Sequence, residues 1–341
     1  MADSTPRSNN KMSTVTHTMN PNPRLTKHLV STGVFAEKPL VVIDVGAKGG
    51  FENHWGSYGE QAQLIGFEPN IAEYEKLLKE SGPNRRYFPT ALSDAKSTRK
   101  FHVYSYASAS SFLKPNFRFL KRLPDWINFA IKKNISVRTN TIDSLMRFGG
   151  IGAVDFIKLD TQGTELEILK GAKKTLDSTL GLTTEFAFNP FYENETTFTD
   201  IDLFLKPLGF SLFNLPTFRY ARNELSPYQG EKLPHHTETG QICWGEALYL
   251  RDAADDIRNG KGRLWNPLRI LKLASIMEVF SLEDCAAELI SVAAEKGYFK
   301  NSEKLKMTQL LVPKINGKEY PYREYIKRIR NIQKAKLKSK K

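Results

Sequence analysis

The sequence predicts an α/β fold: a mostly parallel seven-stranded sheet with helices on both faces, followed by a helical appendage. Three observations carry that reading. From Lys38 onward, short β-branched or aromatic runs alternate with helix-length amphipathic stretches. Pro39–Gly46 is a continuous apolar run ending in an acid and a glycine, as a strand buried on both faces should read, and Val154–Gly163 repeats the acid-then-glycine ending. After Asp252 the strand signals stop and helical periodicity takes over.

Residues 1–37 are read as a flexible N-terminal arm, because Met1 to Arg24 is rich in Ser, Thr, Asn and Pro and lacks the apolar centre of a secretory signal. Residues 38–252 hold the sheet. Its strands are Pro39–Gly46, Ala62–Asn70, Arg85–Asp94, Val154–Gly163, Gly181–Phe188, Phe210–Leu215 and Gly245–Asp252. Between the second and third, Ile71, Tyr74, Leu77 and Leu78 share one face of a helix that stops at Gly82 and Pro83. A long polar and aromatic insertion separates the third strand from the fourth. Residues 253–318 form the helical appendage and 319–341 a basic tail.

Composition narrows the function classes. With 341 residues, 40% of them hydrophobic and 26% charged, the chain can bury a sizeable core, so wholesale disorder is excluded. Two cysteines, Cys243 and Cys285, exclude a disulfide framework and a cysteine zinc cluster, and a reducing cytoplasm is the expected location. No apolar run approaches the roughly 18 residues of a membrane span. The formal charge is +13, and residues 319–341 carry nine basic side chains against two acidic ones. Weak association with an anionic surface is therefore expected of the tail alone. Nothing in the sequence sets an oligomeric state.

Chemistry concentrates at the predicted strand ends. The turn Asp44-Val45-Gly46-Ala47-Lys48-Gly49-Gly50 places glycines where a ligand can approach the backbone closely. It lacks the GxGxxG spacing, and an acid there repels a pyrophosphate but suits a cation. S-adenosylmethionine carries a sulfonium and an ammonium, and this D-x-G-x-x-x-G pattern resembles the first motif of class I methyltransferases. Glu68 ends the second strand at about the 20-residue spacing from which a carboxylate accepts both ribose hydroxyls. Asp94 ends the third, where an adenine amino group needs an acceptor.

The run Lys158-Leu159-Asp160-Thr161-Gln162-Gly163, with Glu165 and the later Leu169-Lys170-Gly171-Ala172, resembles the hallmark of FkbM-type S-adenosylmethionine-dependent methyltransferases. Neighbouring segments agree: the first-strand turn, Ile65–Asn70, Ala91–Asp94, Ser110-Ser111 before Pro115-Asn116, Thr139–Leu145, Glu185–Tyr192 and Gly245–Asp252. The similarity covers about 38–252. It implies a Rossmann-like class I methyltransferase fold, S-adenosyl-L-methionine as cofactor, and O-methylation of a hydroxyl on a carbohydrate or natural-product acceptor. The donor site it implies comprises Asp44, Gly46, Lys48, Gly50, Glu68, Pro69, Ser93, Asp94, Asp160 and Gln162.

Methyl transfer needs alignment and a group to take the hydroxyl proton. Candidates for base or anchor are Asp160, Glu185 and His235, with Glu165 and His54 behind them. No two candidate ligands share an HxH or HxxxH spacing, so no metal is expected. Two alternatives stand beside this reading. Asn189-Pro190-Phe191-Tyr192 is similar to the [ND]PP[YF] motif of nucleic-acid amino-methyltransferases, but it follows the fifth strand rather than the fourth and lacks the second proline, so no specific nucleic-acid partner is expected. The other is a non-catalytic binding protein on the same fold, which has no need for acids at three strand ends.

Overall fold

A computed structural model describes residues 17–148, 151–225, 240–315 and 317–338. The strands are β1 (Leu40–Val45), β2 (Ala62–Phe67), β3 (Arg85–Phe88), β4 (Ala91–Leu92), β5 (Ser97–Tyr104), β6 (Ile131–Asn140), β7 (Phe156–Leu159), β8 (Gly181–Ala187), β9 (Phe210–Asn214), β10 (Thr217–Tyr220) and β11 (Gln241–Arg251). Helices in the sheet region are α1 (Arg24–Ser31), α2 (Ile71–Leu77), α3 (Phe117–Leu120), α4 (Ile142–Phe148), α5 (Glu165–Lys170), α6 (Lys173–Ser178) and α7 (Phe198–Leu205). Beyond the sheet come α8 (Ala253–Arg258), α9 (Pro267–Val279), α10 (Glu283–Glu295), α11 (Asn301–Leu311) and α12 (Tyr322–Lys338).

The main sheet runs β10-β11-β8-β7-β1-β2-β3, with β9 also on β11. Neighbours from β3 across to β8 are parallel, and β11 is antiparallel to β8, β9 and β10. The expected seven positions are present, but the edge position is filled by two strands, β9 and β10, separated by Leu215 and Pro216. Proline supplies no ladder N–H, so the edge divides there. The chain starts at β1, winds outward to β3 and returns to β7 on the other side of β1. That reversal is the switch point at which open α/β sheets hold ligands, outside the carboxyl ends of the strands.

Every residue of β1 is buried, as its apolar run requires. One face of the sheet, carrying Leu40, Val42, Phe156 and Leu248, packs against α1, α8, α9, α10 and α11. The opposite face, carrying Ile43, Val45, Ile157 and Leu159, packs against α4, α5, α6 and α7. The third strand ends at Phe88 rather than Asp94, because Pro89 stops it; Ala91–Leu92 instead joins a separate sheet of order β4-β6-β5. Strand β6 lies inside the expected insertion. Most of it is exposed, and Lys133 interrupts the alternation of Ile131, Ile135 and Val137 by which a sequence reading finds a strand.

The N-terminal segment corrects the sequence expectation where it is described. Within the supposed flexible arm of residues 1–37, α1 is a docked helix with Leu25 and Leu29 in the core. Its first turn is held from α9: Glu278 accepts from Leu25 N at 2.8 Å and Thr26 N at 2.7 Å. A carboxylate at a helix N-terminus satisfies free N–H groups and complements the dipole. Residues 1–16 lie outside the described residues. The basic tail holds a helix over Tyr322–Lys338.

The appendage is joined to the sheet by a buried ion pair. Lys272 of α9 reaches Asp155, just before β7, at 2.6 Å and donates to Pro39 O at 2.8 Å. Asp155 also accepts from Val41 N at 2.9 Å, tying the amino ends of β1 and β7 to one helix. Breaking a buried pair strands a charge and costs about 3–5 kcal/mol. Lys272→Met should therefore lower urea-unfolding stability by roughly that amount, and adding Asp155→Asn should recover part of it. A single variant within about 1 kcal/mol of the parent would show that the pair does not hold the appendage.

Candidate active site

Strand register builds the site. Parallel pairing sets Asp44 of β1 beside Lys158 of β7, and β8 and β11 pair so that Glu185 faces Glu246. Side chains alternate along strands, so Asp44, Lys158, Asp160, Glu185 and Glu246 all project to the face that carries Leu40, Val42 and Phe156. The apolar face of the sheet thus ends in a polar row at the carboxyl ends of its strands. Lys158 Nζ lies 3.5 Å from Asp44 Oδ1.

The turn after β1 brings backbone close to backbone. Gly46 has φ +84°, and a Cβ there would meet the Asp160 carbonyl oxygen at 2.0 Å, so no other residue fits. Gly49, at φ +83°, faces open space. Gly50 has the same φ, and its missing Cβ leaves room for Glu80. Lys48 is exposed and donates to Ser108 Oγ at 2.9 Å. Glu68 is buried, and its Oε1 accepts from Asn70 N at 2.8 Å, while Asn70 rather than Glu68 caps α2. Pro69 is half-buried between them.

Ser93 and Asp94 occupy different environments. Ser93 is buried and accepts from Arg99 at 2.9 Å, and Arg99 in turn pairs with Glu167. Asp94 is exposed and accepts from Ser93 Oγ at 3.2 Å. The segment lies against the end of α5, where a Cβ on Gly171 would meet Ser93 O at 2.3 Å.

The loop after β7 is strained in a useful way. Gln162 adopts φ +60°, uncommon for a residue with a Cβ, and persists because its neighbours over-determine it. Its Nε2 donates to Asp160 Oδ1 at 3.1 Å and to Glu185 Oε2 at 2.9 Å, using both amide hydrogens. The Tyr192 hydroxyl shares its one proton between Ala109 O at 2.7 Å and Gln162 Oε1 at 3.2 Å. Ser111 Oγ holds the Gln162 carbonyl at 2.7 Å. Glu165, a candidate base in sequence, is instead a loop anchor that accepts from Thr161 N at 2.8 Å and Gly163 N at 3.0 Å. His235 lies outside the described residues. His54 is wedged against Trp55 and Phe280, and the Lys158 charge bears on it.

Asn189 and its neighbours are used structurally. Asn189 donates to Ile242 O at 2.9 Å, and Phe191 and Tyr192 are buried in an aromatic cluster with Tyr104, Phe119 and Phe129. Two buried histidines went unread in sequence as neighbours. His17 Nδ1 and Nε2 and His54 Nε2 make no hydrogen bond among the described residues, and both rings flank Phe280. Glu246 was also missed; its signal was the cross-strand register with Glu185, which a single sequence does not show. Among the described residues no group of three or more His, Cys, Asp or Glu is placed to hold a metal.

The acids exceed their one buried cation. Burial pushes Asp44 up to about 6 against the pull of Lys158, and pushes Glu246 up to about 7. Glu185 is raised well above the ordinary carboxylate range by burial and by Asp160 and Glu165. Burial lowers His17 to about 4 and His54 to about 3, so both are neutral near pH 7 and their approaches to Glu246 and Glu52 are not ion pairs. Glu246 therefore holds a proton in the folded state between about pH 4.5 and 7 that the unfolded chain has lost, and stability falls as pH rises through that window. Glu246→Gln should unfold at higher urea than the parent at pH 7.5 and at the same urea at pH 4.5; an equal gain at both pH values would refute the assignment.

The geometry fits S-adenosylmethionine: a surplus of carboxylates for a cation, an open glycine turn, and a buried acid at the end of β2. Residues 44–212 match the family described as "Methyltransferase FkbM domain". The chain is 26% identical over 213 residues to the 2-O-methyltransferase NoeI of Sinorhizobium fredii, covering 59% of this chain and 82% of that protein. Among solved structures it is similar to a magnesium protoporphyrin IX methyltransferase of Synechocystis with bound S-adenosylmethionine (12% identity, 67% of this chain, 79% of that one, TM-score 0.28). It is also similar to a 16S rRNA (adenine(1408)-N(1))-methyltransferase of Catenulisporales acidiphilia (12%, 66%, 92%, TM-score 0.29). At those scores the fold rests on the chain's own strand order. Residues 44–212 carry the FkbM methyltransferase domain match, and the chain is an S-adenosylmethionine-dependent methyltransferase.

Proposed function

We propose that this enzyme methylates a hydroxyl of a carbohydrate or natural-product acceptor, with the Asp160–Glu185 pair receiving the hydroxyl proton. The observation that carries the reading is the Gln162 amide, which donates to both carboxyl groups at 3.1 and 2.9 Å beside the glycine turn. S-adenosylmethionine, when bound, supplies an electrophilic methyl on a sulfonium; Asp44, the Gly46–Gly50 turn, Glu68, Pro69, Ser93 and Asp94 are the residues proposed to hold it. The protein's own contribution is placement and proton acceptance. A hydroxyl attacks as its proton departs, and burial together with Asp160 and Glu165 raises the proton affinity of the Glu185 carboxylate that is to receive it. Gln162 keeps the two carboxyl groups oriented, and the Tyr192 hydroxyl fixes which way its amide points.

The 2-O-methyltransferase name of the Sinorhizobium relative supports an oxygen acceptor over a nitrogen one. So does the burial of Phe191 and Tyr192, which leaves no exposed ring there on which a flipped base could stack. The assay is transfer of labelled methyl to a panel of mono- and oligosaccharides. Glu185→Gln should lower kcat by about 10²–10⁴ while leaving donor affinity within about threefold, a difference of under 1 kcal/mol. Parent-like kcat in that variant would remove Glu185 as the base, and label in RNA but not in sugars would overturn the acceptor class.

A further inference from the structure

The helix α12 carries a second property, independent of the methyl-transfer site. Residues 322–338 hold seven basic side chains and one acidic one. Spacings of three and four set Arg323, Lys327, Arg330, Lys334 and Lys338 on one stripe. The same spacings set Tyr322, Tyr325, Ile326, Ile329 and Ile332 on another.

The helix is oriented at its start. Gln309 of α11 accepts from Tyr322 N at 2.7 Å and donates to Tyr320 O at 3.0 Å. Arg328 lies over the Tyr320 ring at 4.2 Å. Yet the apolar stripe is only half-covered: Tyr322, Tyr325, Ile326 and Ile329 all remain partly accessible. A helix with a basic stripe and an incompletely covered apolar stripe lies stably in a lipid interface, its apolar side toward the acyl boundary and its basic side chains among anionic headgroups. A nucleic acid would neutralise the basic stripe and leave the apolar one with nothing to cover it.

We propose that α12 is a docking helix for an anionic lipid surface, holding the enzyme at a membrane without crossing it. No helix among the described residues is long and apolar enough to cross one.

The test is co-sedimentation of the full-length protein with phosphatidylcholine vesicles, with and without phosphatidylserine, at low and high salt. Binding should require phosphatidylserine and weaken with salt. Replacing Arg323, Lys327, Arg330, Lys334 and Lys338 by Gln should weaken it by roughly a thousandfold or more, since each basic residue near such a surface contributes about a fivefold factor. Ile329→Ser with Ile332→Ser keeps every charge and should also weaken it, by about tenfold, a loss that a purely electrostatic contact would not show. Both variants should bind S-adenosylmethionine as the parent does, which shows that they are folded. Three outcomes overturn the proposal: no vesicle binding by the folded parent, undiminished binding by the five-fold Gln variant, or tight binding to RNA or to a second copy of the chain with none to vesicles.

Discussion

The parallel register of β1 on β7 is the constraint on which the site depends. It sets Asp44 against Lys158 and lays Gly46 on the Asp160 carbonyl at a distance that no side chain at position 46 would permit. Shift β1 by one residue and Asp44 leaves Lys158 for the opposite face, where Ile157 and Leu159 lie. The register is protected at the other end of the same strands, where Asp155 bonds Val41 N and receives Lys272. Structure at the amino ends of the strands therefore holds chemistry at their carboxyl ends.

That arrangement is costly in the absence of a cation. Asp44, Asp160, Glu52 and Glu246 all bear on Lys158, and burial lifts the proton affinity of Asp44, Glu185 and Glu246. Buried acids raised in this way destabilise the folded state at neutral pH, and a cationic ligand relieves them. The same carboxyl groups that a stability-optimised core would exclude are those that a sulfonium donor and a hydroxyl acceptor require. The appendage takes part in this environment, because Phe280 at the end of α9 stacks on Phe156 and presents its ring to His17 and His54.

Much of this was legible in sequence, for physical reasons that differ by element. The central strands are apolar throughout, so β1 announced both its burial and the acid at its end. Asp44, Gly46, Glu68 and Asp160 stood out because they follow such runs at strand ends. What escaped depended on partners distant in the chain. The first turn of α1 is satisfied by Glu278, 253 residues from Leu25, so a segment with weak local signals was read as flexible. Glu246 gained meaning only from its cross-strand position opposite Glu185. Strand β6, exposed along most of its length, has Ile131, Ile135 and Val137 on one face, but Lys133 interrupts them and they do not enter the main core. The basic tail was read from its charge, which hides the apolar spacing that makes Tyr322–Lys338 an amphipathic helix.

The central claim is that acids at the ends of β1 and β2 hold the methyl donor. Calorimetric titration of S-adenosylmethionine into the parent protein and into Asp44→Ala and Glu68→Ala variants tests it most directly. The account predicts saturable binding by the parent and at least a tenfold loss, about 1.4 kcal/mol, in each variant that remains folded. Parent-like affinity in both variants would contradict it and would place the donor elsewhere on the protein.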